Sequence, residues 1–543
     1  MPCYNERMKR LHLTAALMLG LLAVACSVPT LPEPLRPAAQ HQPSVSSRVD
    51  ELRFCWQALE NPRTPAERRA ELTERYNALL LELIREYRYA YRNETHLHRF
   101  SEIEVVYAGG LSVASAERVY DDFIPAADVE CRHLEEHYRV PGLGVPLVGI
   151  IPAEKTGNAP QAFTFHSKGA VSTLTAVLEF PRAGKPRLHL LQRARQEQFR
   201  GLPLAADFSA SLELYGRMTG LKEGRFLGLL RPSELEERDV KGLICLGGYD
   251  PDKIPVILVH GLMSSAATFD NLINRLMDDP AIRRRYQFWL YNYPTGVAWT
   301  ITAESYRAAL EDARRTLDPQ HRNRNWDKKV LIGHSMGGLI THYSQCTEPW
   351  LMLRNSGSLR GDKLAPYMTP RYVDRPFEDP KLEVFRKQYF FRPVSAGMVI
   401  YLATPHRGAP LARYRLTRAL THLIELPQNL VSEAVNIVTL SEDIFIFDPS
   451  RLTDWFTSVS QLSPGSYSIR GLQGLTIRGV PTHSVIGDRG VAGPREESSD
   501  GVVPYWSGHF SWGGETMVPA SHSVQDAPET AECLRKLLRE YDK

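Results

Sequence analysis

The stretch Lys329-Val330-Leu331-Ile332-Gly333-His334-Ser335-Met336-Gly337-Gly338-Leu339-Ile340 limits the fold more than any other part of the chain. It reads as a short apolar strand, a tight turn and the start of an apolar helix, with a serine at the tip. Glycines at 333 and 337 let strand and helix backbones pass close together. A serine on such a turn stands clear of the sheet. The next amide, on Met336, opens the helix and can stabilise developing negative charge. A bare Gly-x-Ser-x-Gly is weak evidence. The strand before it and the helix after it make Ser335 a candidate nucleophile.

The surrounding pattern agrees. Val256-Ile257-Leu258-Val259-His260-Gly261-Leu262 is a continuous apolar run ending in a loop, as in a parallel strand covered on both faces. A helix is expected at residues 267–284, a strand at Phe288–Tyr291 and a helix at 303–317. Further strands are expected at Met398–Ala403 and His483–Gly487, and a last helix at 528–539. Strands alternating with helices predict a doubly wound α/β sheet over residues 246–543. Residues 48–245 read differently. Leu79, Leu80, Leu83 and Ile84 recur at the helical period within 64–92. Strand-like runs follow at Glu104–Tyr107, Val145–Ile150, Ala162–Phe165, Leu174–Phe180 and Arg187–Leu191. This is a helix-plus-β accessory domain, expected as a small sandwich, with no catalytic constellation. His133 and His137 are read as surface or structural.

The first 25 residues read as a targeting segment. Arg7, Lys9 and Arg10 precede a mostly apolar run, Leu11–Ala25, too short to span a bilayer comfortably. Small residues then lead into Cys26. This resembles a bacterial lipoprotein signal, which implies cleavage before Cys26 and lipid on its thiol. Ser27 after the cysteine implies the outer membrane of a bacterial envelope. An ordinary secretory peptide is the alternative. Residues 26–47, rich in Pro, Ala and Gln, are expected to be a flexible tether. Cys55, Cys131, Cys245, Cys346 and Cys533 are an odd set, so outside the cytoplasm at least one stays free or pairs between chains. A Cys55–Cys131 bridge is one option, and Cys346 is expected in the core. The net charge of +3 gives no reason to expect nucleic acid.

His260-Gly261-Leu262, Gly333-His334-Ser335-Met336-Gly337-Gly338, Ala403-Thr404-Pro405-His406-Arg407-Gly408, Ser499-Asp500-Gly501-Val502-Val503-Pro504 and His522 stand in the order of the α/β-hydrolase superfamily. The set resembles its lipase and esterase branch, including bacterial triacylglycerol lipases and GPI inositol-deacylases, over roughly residues 250 to 543. The resemblance implies Ser335 as nucleophile, His522 as base and Asp500 as acid. It implies backbone amides of Leu262 and Met336 as oxyanion hole. Asp488, directly after a strand, rivals Asp500; an ion pair with adjacent Arg489 would make it structural. His483 and His509 rival His522.

The implied reaction is cleavage of carboxylic esters, acyl or lipid, without metal or organic cofactor. A thioesterase, amidase or transacylase would use the same residues, and a non-catalytic envelope module is the rival outside enzymes. Insertions at 347–393 and 411–470 are long enough to be apolar lids, or else to cover the sheet.

Overall fold

The computed structural model describes residues 44–93, 95, 97–108, 120–151, 169–193, 196–220, 242–356, 369–376, 383–410, 457–477, 479–490 and 493–541. The targeting segment, Cys26 and the strand expected at Ala162–Phe165 lie outside them.

Two helices open the described chain, α1 (Val45–Glu60) and α2 (Ala66–Arg92). The first begins inside the stretch expected as tether. A five-stranded sheet follows: β1 (Glu104–Ala108), β2 (Asp122–Pro125), β3 (Val145–Ile151), β4 (Ala170–Glu179) and β5 (Arg187–Gln192), in the order β1-β5-β4-β3-β2. Only the β1–β5 pair is parallel.

The expected sandwich is not what forms. Alternation along β3 shows why. Val145 and Leu147 face Leu52 and Leu80 of α1 and α2. Val148 and Ile150 face the other way, toward Leu212 and Leu214 of α3 (Phe208–Thr219). Side chains on a strand point alternately to opposite faces, so a strand buried on both needs two covers. Helices supply one; α3 and the second half of the chain supply the other, since Leu272 and Ile273 share that core.

The second sheet has seven strands: β6 (Gly242–Cys245), β7 (Ile254–Val259), β8 (Tyr286–Asn292), β9 (Val330–His334), β10 (Met398–Leu402), β11 (Thr482–Gly487) and β12 (Gly514–Val518). Their order is β6-β8-β7-β9-β10-β11-β12. Every pair is parallel except β6–β8. The strand β6 corrects the expected boundary at 245. It is an antiparallel edge of this sheet, with Leu243 opposite Tyr291, not part of the accessory region.

Even-numbered β7 residues Val256 and Leu258 pack toward one core, and Ile257 and Val259 toward the other. That double burial is the reason for its unbroken apolar run. One face is covered by α4 (Asp270–Met277), α5 (Pro280–Arg285) and the C-terminal helix; the other by α6 (Trp299–Leu317) and α7 (Met336–Ser344). The single helix expected at 267–284 is broken at Pro280. The Asp279 side chain accepts from the Ala281 amide at 2.9 Å there and starts a new helix.

Described parts of the insertions cover the α6–α7 face. The helix α8 (Glu383–Tyr389) has Tyr389 buried. The Gln388 carbonyl accepts from Tyr343 Oη at 3.0 Å. Trp350, Met352, Ile469 and Leu472 join the same core. Residues 357–368, 377–382 and 411–456, where the lid expectation chiefly rests, lie outside the described set. The C-terminal helix is α9 (Pro528–Tyr541). The five described cysteines are free, so the Cys55–Cys131 bridge is not formed. Cys55 and Cys346 are core residues.

Candidate active site

Central strand β9 ends at His334 and α7 begins at Met336, so the turn between them is the single residue Ser335. Its backbone has φ 53° and ψ −121°. For a residue with a Cβ, positive φ costs on the order of 1–3 kcal/mol and persists only where the surroundings enforce it. The enforcement is visible. The Ser335 amide donates to the Leu402 carbonyl at 2.8 Å, tying the turn to β10. A Cβ at Gly333 would stand 2.5 Å from the Gly337 carbonyl, and one at Gly337 would collide with Val259. A Cβ at Gly261 would stand 2.9 Å from that of Ser335, so the His260-Gly261-Leu262 turn lies against the serine. Met336 is the first residue of α7, where amides have no partner within the helix.

Ser335, Asp500 and His522 come together from positions 165 and 187 residues beyond the serine. His522 Nε2 lies 2.9 Å from Ser335 Oγ, and its Nδ1 lies 2.8 Å from Asp500 Oδ2. One tautomer satisfies both contacts: Nδ1 donates to the carboxylate and Nε2 accepts from the hydroxyl. The second carboxylate oxygen of Asp500 accepts from the amides of Val502 at 2.7 Å and Val503 at 2.6 Å. Its turn is closed by a bridge between Ser499 and Pro504. A carboxylate so held cannot rotate. Its side chain is 1% exposed and that of His522 is 24% exposed. The acid is sealed while the imidazole edge stays reachable.

The rival acid goes elsewhere. Asp488 Oδ1 accepts from the Gly490 amide at 3.0 Å. The ion pair expected between Asp488 and Arg489 is not what holds it; the Arg489 guanidinium lies over Gly501. The rival histidines are engaged too, His509 with Glu515 at 2.7 Å and His483 with Thr516 at 2.9 Å.

His334 and His260 flank the serine turn and His406 lies on the loop after β10; burial disfavours the charged form of all three. Burial, reinforced by neighbouring His522, pushes His334 down to about 3. Its Nε2 donates to the His522 carbonyl at 2.9 Å, so it steadies the backbone of that histidine. Burial pushes His260 down to about 4; it stacks on Tyr293 at 4.2 Å, and the Tyr293 hydroxyl holds its carbonyl at 2.5 Å. His406 is pushed well below its ordinary value, first by burial and then by His342 and Arg407. Tyr293 carried no sequence signal, because nothing but three-dimensional stacking links it to residue 260. Gly487 was legible only as a strand end. Its missing Cβ is what leaves room for Asp500, whose Cβ would lie 2.8 Å away. Among the described residues no three His, Cys, Asp or Glu side chains converge to hold a metal ion.

A family model described as the alpha/beta hydrolase family matches residues 256–531, just over half of the 543 residues. The chain belongs to the alpha/beta hydrolase family. Its fold class is therefore the expected one, a mostly parallel sheet with helices on both faces preceded by a helix-plus-strand region. No curated protein matches the chain.

Among solved structures, a Bacillus licheniformis lipase in mature form is similar at 14% identity and TM-score 0.29, over 53% of this chain and 93% of that one. A structure of the carboxylesterases of the ammonia-oxidizing thaumarchaeon Nitrososphaera gargenis is similar at 14% identity and TM-score 0.27, over 55% and 96%. A thioesterase domain from the curacin biosynthetic pathway is similar at 12% and 0.25, over 55% and 94%. Similarity this low carries nothing about what this alpha/beta hydrolase acts on.

Proposed function

We propose that this hydrolase cleaves carboxylic esters, acyl or lipid, through an acyl-enzyme on Ser335. The unbroken hydrogen-bond line Asp500–His522–Ser335 supports the reading. Serine is a weak nucleophile until a base takes its proton. His522 Nε2 accepts that proton as Oγ attacks the ester carbonyl, and returns it to the leaving alcohol. Asp500 keeps Nδ1 protonated and stabilises the imidazolium. The tetrahedral oxyanion falls to the amides of Met336 and Leu262. Each such donor contributes about a hundred- to a thousandfold in rate. Water then repeats the sequence on the acyl-enzyme.

The same reading puts the protein at a bacterial outer membrane, held by lipid on Cys26. The support is the basic start, apolar run and small residues before that cysteine.

The test is Ser335→Ala in full-length protein. A panel of matched acyl esters, thioesters and amides and a fluorophosphonate probe serve as readouts. The variant should lose probe labelling and turnover by about a millionfold, as removal of the serine does in a serine protease. Turnover at wild-type rate in Ser335→Ala sinks the proposal. Wild-type preference for the thioester or amide would reassign the substrate class. A wild-type protein that neither labels nor turns over would leave an envelope module. Cys26→Ser should release the protein from the membrane fraction; equal retention would place the anchor elsewhere.

A further inference from the structure

Besides the shared core under α3, the accessory region touches the hydrolase through residues 133–138, which pass along α4. The Glu135 amide donates to Asn271 Oδ1 at 3.1 Å, and Asn274 Nδ2 donates to the Glu136 carbonyl at 2.7 Å. Asn274 Oδ1 also accepts from Ser209 Oγ, at 2.8 Å, at the start of α3. Beside them stands Arg275, whose side chain is 7% exposed. Its Nη2 donates to Glu135 Oε2 at 2.6 Å, and its Nε lies 3.6 Å from Glu136 Oε1. The other prong, Nη1, donates to the Asp526 carbonyl at 2.5 Å. Asp526 closes the 3₁₀ turn Val524–Asp526, four residues after His522. One rigid guanidinium thus joins the accessory segment to the loop that carries the imidazole.

That loop has two other supports. His334 donates to the His522 carbonyl, and Gln525 Nε2 donates to Thr268 Oγ1 at 3.0 Å. Inside the turn, the Asp526 amide donates to the Ser523 carbonyl at 3.0 Å. A displacement of the Asp526 carbonyl is therefore passed to Ser523 and to the histidine before it.

We propose that Arg275, held in place by Glu135 and Glu136, is a positioning residue for His522, and that the accessory region thereby tunes the rate of the hydrolase. This rests on reading His522 as the base. A base must lie within hydrogen-bond reach of both its partners, and a misplacement of about 1 Å can cost a hundredfold in rate. Arginine suits the role because its planar fork presents donors in two directions at fixed geometry. The carboxylates are half-exposed, at 57% and 44%, and glutamine keeps an acceptor oxygen at each position, so the buried Arg275 side chain retains hydrogen-bond partners in the double variant. Rate and stability are therefore separable.

The experiment compares full-length wild type, Glu135→Gln/Glu136→Gln, Arg275→Lys, Arg275→Gln and Ser335→Ala. Turnover of an ester is measured per site titrated with fluorophosphonate, and per molecule of protein for Ser335→Ala, which the probe does not titrate. The pH profile of kcat/KM and Tm are recorded alongside. The double carboxylate variant should lower kcat about tenfold with KM unchanged, shift the acidic limb of the profile, and leave Tm nearly in place. Arg275→Lys should retain more turnover than Arg275→Gln. Wild-type kcat per titrated site in the double variant and in Arg275→Lys overturns the proposal, as does a loss that only follows the titrated fraction. If Arg275→Gln does not fold, the carboxylate variant still decides. Full turnover in Ser335→Ala overturns it by a separate route, through the site reading it rests on.

Discussion

The two halves bury polar groups in opposite ways. In the accessory half nearly every buried charge has an opposite partner. Arg88 and Asp122 meet through two 2.8 Å contacts with both side chains 4% exposed or less. Arg48 meets Glu86 at 2.6 Å. Glu179 meets His189 and Arg200, and Asp207 meets His137 and Arg139. In the hydrolase half, buried imidazoles cluster with few carboxylates near them. Both ring nitrogens of His406, and one each of His342 and His334, are buried without a hydrogen-bond partner. Ser335 sits there in a strained backbone. The accessory half pairs its buried charges, whereas the hydrolase half leaves buried imidazole nitrogens without partners. Broken local rules therefore collect around residue 335 rather than around residue 88.

The sharpest break of this comparison is at the acid. Asp500→Asn should drop turnover about ten-thousandfold, the size measured for the equivalent change in a serine protease, because the amide selects the wrong tautomer. Tm should stay within a few degrees. Asp488→Asn loses only the cap on Gly490 and should keep its rate. Steady-state kinetics and melting curves on both decide it; a dead Asp488→Asn beside an active Asp500→Asn reverses the assignment.

Acidification should separate the halves next. His260 and His342 are pushed down to about 4 and His334 to about 3, each first by burial. Unfolded imidazoles take up a proton near 6.5 while these refuse it. Between those limits the unfolded chain binds more protons, so stability falls as pH falls from about 6.5 toward 4, by on the order of 3 kcal/mol per imidazole at most. Glu179 behaves otherwise. Burial opposes its charge, but hydrogen bonds from His189 and Arg200 win and hold it below the usual carboxylate range. Its contribution is present above that range and is lost only as pH falls through the lowered value. Urea midpoints from pH 7.5 to 4.5, with hydrogen exchange assigned by region, should show β7, β9 and α7 losing protection before α2 and β2. Simultaneous loss would refute the contrast.

A frame built of pairs should also break by halves. Arg88→Met leaves Asp122 charged and buried, at a cost of about 3–5 kcal/mol, whereas Arg88→Met/Asp122→Leu should be close to neutral. Both should keep turnover per titrated site, since neither touches residues 133–138. A double variant as unstable as the single one would mean that the pair is worth more than a well-packed apolar contact.

Local pattern and physical distance divide what the sequence made legible. The serine turn, the His260-Gly261-Leu262 turn and the Asp500 turn are each written in consecutive residues, and Asp500 is favoured over Asp488 by its Gly-Val-Val-Pro run and by the arginine beside Asp488. Strand β7 was legible because double burial leaves an unbroken apolar string. Edge strand β6 was not, since a short run such as Gly242–Cys245 carries no sign of which sheet it will join. The strand-like runs that suggested a sandwich do not say what covers them: burial on both faces of β3 requires two covers, and helices supply one of them. Arg275 was invisible for a different reason. Its partners stand 140 and 251 residues away, and an arginine in a helix reads as a solvated face until its neighbours are known.

The smallest effect is the most diagnostic, because the comparison demands opposite signs from one kind of substitution. His406 packs against Tyr401 at 4.6 Å and Phe510 at 4.8 Å between ring centres, with both nitrogens idle. A phenyl ring keeps that packing and removes two buried polar atoms. His406→Phe should be neutral or stabilising by about 1 kcal/mol at pH 7.5. The gain should grow toward pH 5.5, because the wild type loses stability as its unfolded imidazole charges and the variant has none to charge. His189 is part-buried, and its Nε2 serves Glu179 Oε2 at 2.8 Å. His189→Phe leaves that oxygen with one partner fewer in a dry setting and should cost about 1–2 kcal/mol at pH 7.5. Urea midpoints of the two variants give the answer. Opposite signs mean that the halves differ in how polar groups are satisfied. Equal losses would mean that the His406 ring is held by contacts as firm as those of His189, and the contrast between frame and site would fail where it is drawn most sharply.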